Sequence, residues 1–158
     1  MKAVILAAGQ CSRARSLTLS PKCLLSWGDQ SILGNQLSGL SAAGVSEFAI
    51  VVGYKGREIV QYVHDHFPEL LHRITYVDNP AFRETNNIYS LYLAEPWISG
   101  QKFICLNADI LCDPCIFTPA VETNAAISMV IDPEFREETM KVIIQNDRIV
   151  TMRKGIPR

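Results

Sequence analysis

The sequence predicts an α/β fold: a three-layer, Rossmann-like mixed sheet, mostly parallel, with an antiparallel C-terminal extension. Three observations carry this expectation. The apolar run at residues 3–8 has no polar alternation, which suits a strand covered on both faces. From there to residue 109, short apolar runs alternate with stretches whose apolar positions recur at helical spacing. After residue 124 the pattern changes to strand, turn and strand.

The elements follow in order. The first strand breaks at Gly9 into a polar loop that carries Arg13 and Arg15 and reaches Pro21 and Lys22. Residues 31–40 place apolar side chains at 32, 33, 37 and 40, with Ser31 as N-cap and Gly44 near the C-terminal end, and so predict an amphipathic helix. Residues 47–52 form the next buried strand, ended by Gly53. Residues 57–67 read as a helix through Ile59, Val60 and Val63, stopped before Pro68. A strand at 74–77, a helix at 86–94 with Ile88, Leu91 and Tyr92 on one side, and a strand at 102–106 ending at Asn107-Ala108-Asp109 complete a βαβαβαβ order. That order implies a parallel sheet with right-handed crossovers. Residues 125–131 and 140–144 are strand-like, and Asn146-Asp147 is a turn before a strand at 148–152. Without internal repeats, low-complexity segments or a linker, residues 1–158 read as a single domain.

Composition narrows the function classes. The 158 residues are 48% hydrophobic, enough for a substantial core, and no run approaches the roughly 20 apolar residues of a membrane span. Net charge is −1 with both signs interspersed, so neither a nucleic-acid partner nor a membrane surface is indicated. Five cysteines and no export signal point to reduced thiols in the cytoplasm. Cys112 and Cys115 form a C-x-x-C without a second ligand pair, and His64-Asp65-His66 reads as a solvated helix end.

Ligands of open α/β sheets bind outside the carboxyl ends of the strands. At that edge Gly9, Gln10, Cys11 and Ser12 can form a nest of backbone N–H groups, with the Arg13 fork and the Lys22 point charge on the same anion. Asp109 ends another strand at this edge, and its hard oxygens suit Mg²⁺ shared with substrate phosphates. The plainer alternatives are an Asp109 that caps a helix over 114–117 and a Lys22 that is solvated after a proline turn. Thr85-Asn86-Asn87 likewise suffices as an N-cap cluster.

Leu6-Ala7-Ala8-Gly9-Gln10-Cys11-Ser12-Arg13 followed by Pro21-Lys22 resembles the signature L-A-A-G-x-G-[ST]-R…P-K of nucleotidyltransferases with a GT-A-like Rossmann fold. The resemblance runs on through Gly28-Asp29-Gln30-Ser31-Ile32-Leu33, Ala43-Gly44-Val45, Ile50-Val51-Val52-Gly53-Tyr54 and Asn107-Ala108-Asp109. Asn79-Pro80 and the run from Thr85 to Leu91 resemble the CTP:phosphocholine and phosphonate cytidylyltransferases more than the sugar-1-phosphate branch. What the resemblance implies is transfer of a nucleotidyl group, CMP from CTP being favoured, to a small phospho-acceptor. Arg13, Lys22 and Asp109 would be catalytic, with Asp109 holding Mg²⁺. Leu6, Ala7, Ala8, Gly9, Gln10, Cys11, Ser12, Thr85 and Asn86 would line the nucleotide, and Asn87 and Lys154 the acceptor.

Two departures accompany it. The second loop glycine is Cys11, which costs on the order of 1 kcal/mol if φ there is positive. The family's second metal-binding acid lies in later sequence, so Asp113 or Asp132 would have to replace it, or the chain is a shortened, nucleotide-binding portion. Two classes stay open: an Mg²⁺-dependent transferase, and a nucleotide- or partner-binding module without turnover. An unfinished sheet edge would favour self-association.

Overall fold

The computed structural model describes residues 1–10, 20–134 and 140–154, and these divide into two compact units, Met1–Ala126 and Ile127–Arg158. The first unit is built in the order β1 (Lys2–Ala7), β2 (Ser26–Trp27), β3 (Gln30–Ser31), α1 (Ile32–Ala42), β4 (Glu47–Val52), α2 (Gly56–His66), β5 (Ile74–Asp78), α3 (Asn87–Leu93), α4 (Glu95–Ile98), β6 (Phe103–Asn107) and α5 (Phe117–Glu122). Short 3₁₀ segments at Lys22–Leu24, Pro68–Arg73 and Pro114–Ile116 join them.

The main sheet has the order β5-β4-β1-β6 and all its pairings are parallel. Strands 1, 4 and 5 progress in one direction, and β6 then returns to the other side of β1. The crossovers bury opposite faces accordingly. Ala3, Ile5, Ala7, Phe48, Ile50 and Val52 pack with Leu33, Leu37 and Leu40 of α1, Ile59 and Val63 of α2, and Phe117. Val4, Ala8, Ala49 and Val51 pack with Ala94 and Ile98 and, at the margin, Leu91 and Trp97. This is the expected three-layer arrangement, and the unalternating apolar strands are explained by it.

Helix ends follow local chemistry. Ser31 Oγ accepts from the Gly34 N–H at 3.0 Å, as predicted for the α1 N-cap. Gly44, at φ +87°, turns the chain after α1. Gly34 and Gly39 lie under aromatic side chains. A Cβ at Gly39 would stand 2.5 Å from the Phe117 ring, so α1 can approach α5 closely only without one.

The second unit contains β7 (Lys141–Gln145) and β8 (Arg148–Arg153), an antiparallel hairpin. Asn146 and Asp147 both have positive φ, the geometry of a two-residue hairpin turn. The expected strand at 125–131 is absent: these residues are exposed and outside every ladder. Their β-branched and apolar composition finds no partner strand among the described residues, and composition alone does not make a strand. No helix among the described residues is long and apolar enough to cross a membrane.

Candidate functional site

The strand order reverses at β1: the chain crosses to β4 on one side of it and returns from β5 to pair β6 on the other. A reversal of this kind is where ligands of open α/β sheets bind, in a crevice outside the carboxyl ends of the strands. Leu6 and Ala7 close β1, and Ala8, Gly9 and Gln10 lead out of it. Two backbone bonds secure this exit: Tyr54 N–H donates to Ala8 O at 3.0 Å, and Ala108 N–H donates to Leu6 O at 3.0 Å. Gly53 lies so close that an added Cβ would sit 2.9 Å from Ala8 O and 2.8 Å from Phe82 Cβ. Cys11, Ser12 and Arg13 lie outside the described residues.

Lys22 opens its 3₁₀ turn directly after buried Pro21. Its Nζ lies 3.7 Å from Asp109 Oδ2, both side chains being partly exposed. Residues from opposite ends of the parallel order thus meet at the crevice. An ion pair this exposed contributes on the order of 0–1 kcal/mol to stability, so its placement bears on ligands more than on the fold. Lys2 occupies the other end of β1, where its ammonium donates to Trp97 O at 3.0 Å and lies 4.4 Å from that ring's centroid.

Asp109 does not cap the turn at Pro114–Ile116. Asp113 does, its Oδ1 accepting from Cys115 N–H at 2.9 Å, a bond that holds its carboxyl below the usual range. That leaves Asp109 without a capping task, facing Lys22, and gives Asp113 a structural one. Asp132, in the second unit, accepts from Glu134 N–H at 2.8 Å. No group of three or more His, Cys, Asp or Glu among the described residues could hold a metal. A lone accessible carboxylate does not suit zinc, which takes three or four protein donors, or calcium, which gathers several protein oxygens. It does fit Mg²⁺, which takes one or two carboxylates and completes its shell with phosphates and water.

Asn86 and Asn87 begin α3. Asn86 Oδ1 accepts from the Ile88 and Tyr89 N–H groups at 3.1 and 3.3 Å, so its oxygen is engaged as the N-cap. Asn87 Nδ2 donates to Asn107 Oδ1 at 2.8 Å and ties α3 to the end of β6. Thr85 Oγ accepts from Asn79 Nδ2 at 3.2 Å and donates to Ala81 O at 2.8 Å. Asn79, almost fully buried, also donates to Ser90 Oγ at 3.1 Å and accepts from Ala81 N–H at 3.0 Å. Thr85 is therefore part of a buried network beneath the α3 entrance. Exposed Lys154 lies in the second unit.

A second hollow of about 560 Å³ lies at the carboxyl ends of β4 and β5, lined by Val52, Gly53, Gly56, Arg57, Val60, Gln61 and Asp78. It includes neither Lys22 nor Asp109.

Sequence reasoning passed over Gln36. It is fully buried on α1, and its Nε2 donates to Asn107 O at 3.0 Å and to Ile110 O at 2.7 Å, the two ends of the turn that carries Asp109. The signal was available: position 36 falls on the stripe of Leu33, Leu37 and Leu40, where a polar side chain is out of keeping with its neighbours.

Residues 3–128 match the MobA-like NTP transferase domain family. The chain is 34% identical over 119 residues to the 2-aminoethylphosphonate cytidylyltransferase of Lancefieldella rimae, a match that covers 74% of this chain and 46% of that one. It is also 34% identical over 128 residues to the N-acetylmuramate alpha-1-phosphate uridylyltransferase of Neisseria meningitidis, covering 80% and 54%. The inositol-1-phosphate CTP transferase of T. maritima superposes with a TM-score of 0.78 at 27% identity over 99% of this chain and 65% of that chain. The chain spans about half the length of the curated relatives named here.

Proposed function

The chain belongs to the MobA-like NTP transferase family, and from that premise we propose that it transfers a nucleotidyl group, CMP from CTP, to phosphocholine, a phosphonate or a similar small phospho-acceptor. The observation that supports this most directly is the approach of Lys22 to Asp109 at the strand-order reversal. There a cation and a carboxylate flank the place where the first strand's loop leaves the sheet.

In this reading an acceptor oxygen forms a bond to the α-phosphorus in line with the α–β bridging oxygen. That bridging bond breaks, and pyrophosphate leaves with the electron pair. The acceptor is already ionised, so no general base is required. Lys22 stabilises charge on the α-phosphate, and Arg13 with the Gly9 loop orients the β and γ phosphates. Asp109 would hold Mg²⁺ together with the phosphates, and the ion would neutralise charge on the departing pyrophosphate. Asn86 and Thr85 would stand near the base, and Asn87 and Lys154 near the acceptor. With its side-chain oxygen engaged as the N-cap, Asn86 would address the base through its amide NH₂.

A second reading, transfer to a sugar 1-phosphate with another base, is favoured by the uridylyltransferase relative and by a mannose-1-phosphate guanylyltransferase of Dictyostelium discoideum at 33% identity. Pyrophosphate release, measured with four nucleoside triphosphates against both acceptor classes, separates the two. We expect release with CTP and a phosphocholine or phosphonate acceptor, lost with EDTA and restored by Mg²⁺. Asp109→Ala should lower turnover by on the order of 10²-fold or more. Release from no pairing would refute the transferase reading, and full activity in Asp109→Ala would refute the metal assignment.

A further inference from the structure

We infer that Gln36 is a positioning residue, which sets Asp109 opposite Lys22 by holding the two ends of the 107–110 turn; its kinetic consequence rests on the nucleotidyl-transfer reading above. The side chain rises from the middle of α1 and is wholly enclosed. Its amide nitrogen spans Asn107 O and Ile110 O, while Oε1 is buried without a hydrogen-bond partner. The reversed amide would set an oxygen against two carbonyl oxygens, so the orientation is decided by the turn.

The energetics argue that this residue serves the turn and not the core. A buried amide oxygen with no donor forfeits about as much as two neutral hydrogen bonds return. An apolar side chain among Leu33, Leu37 and Leu40 would avoid that loss. What only a donor of this length supplies is one grip on both ends of a four-residue turn.

The same helix is tied to the other partner. Its first residue, Ile32, donates from its N–H to Leu25 O at 3.1 Å, and Leu25 N–H donates to Lys22 O at 3.0 Å. Thus α1 is linked to the Lys22 turn at one end and to the Asp109 turn at its centre, and it sets the separation of the ion pair. Asn87, on Asn107 Oδ1, and Leu6, on Ala108 N–H, restrain the turn from α3 and β1. Among the described residues, Gln36 is the side chain that hydrogen-bonds its far end, at Ile110 O.

Gln36→Met keeps volume and removes both donors. Native-state hydrogen exchange should then quicken by roughly tenfold or more at the Ala108 and Ile110 amides, while the Val4 and Ile50 amides and the melting temperature hold. In pyrophosphate release kcat should fall roughly tenfold with KM for the triphosphate little changed, the mark of misplacement rather than lost binding. Gln36→Glu gives a second reading, because its acid donates only when protonated. Its turn protection and its turnover relative to wild type should recover toward low pH. Unchanged exchange at Ala108 and Ile110 in Gln36→Met, or a loosened turn with undiminished kcat, would overturn the inference. A wild-type chain inactive on every pairing would instead refute the transferase reading, while the exchange result still decides whether Gln36 holds the turn.

Discussion

Cys23 follows Lys22 in the chain yet belongs to the core, and burial pushes its thiol up to about 12, with the Asp109 carboxylate adding to the rise. The thiolate is the reactive form, so this cysteine is inert in the folded protein. An acid whose folded pKa lies above its unfolded value stabilises the fold while it stays protonated in both states. Stability is therefore fully present below about pH 9, the thiol's ordinary value, and is lost as pH rises from there toward 12, because only the unfolded chain ionises. Denaturant midpoints at pH 8, 9.5 and 11 should fall more steeply in wild type than in Cys23→Ala. Iodoacetamide should label Cys23 only once unfolding begins, whereas rapid labelling of native protein at pH 8 would contradict its burial. The C-x-x-C residues differ in setting: Cys115 is exposed and Asp113 beside it is occupied as a cap.

The elements were legible where hydrophobic period and punctuation agreed. Ser31 as cap, Gly44 after α1, Pro68 after α2 and the turn at Asn146-Asp147 all stand where side-chain chemistry put them. Residues 125–131 show the limit of such reasoning, since strand-like composition needs a neighbour that the sequence does not announce. The β2–β3 ribbon was missed because two residues per strand carry no period, although Gly28, at φ +60°, marks its turn. Contacts between elements were the least legible. Gly53 resembled a strand terminator, and its further task is to let the end of β4 approach Ala8 at the exit of β1. Gly53→Ala must displace backbone there. We expect a loss of about 1–3 kcal/mol in chemical unfolding together with weaker triphosphate binding by calorimetry; wild-type values for both would show that the approach is loose.

Across the whole molecule, the candidate site was half legible: Asp109 and Lys22 were singled out from the strand ends and the family signature, but Gln36 needed the packing of α1 on the 107–110 turn. Stability is distributed unevenly as well. β1 and β4 are each paired on both sides and consist almost wholly of enclosed apolar residues, whereas most residues of the β7–β8 hairpin are exposed. Hydrogen exchange should therefore approach the global unfolding free energy at Val4, Ile5, Ile50 and Val51, with the hairpin amides exchanging orders of magnitude faster. Equal protection in both would mean that the hairpin is covered in solution.

The position of β1 has a consequence for the growing polypeptide. In the order of synthesis it gains β4 early, but its other edge waits for Phe103–Asn107. At roughly 5–20 residues per second, the hundred or so intervening residues take on the order of 5–20 s to emerge, and an apolar strand has an open side throughout. Asp109 comes off the ribosome immediately behind the strand that closes it. A nascent chain can offer a polyanion its early cations, but it acquires the matching acid only once both edges of β1 have a partner.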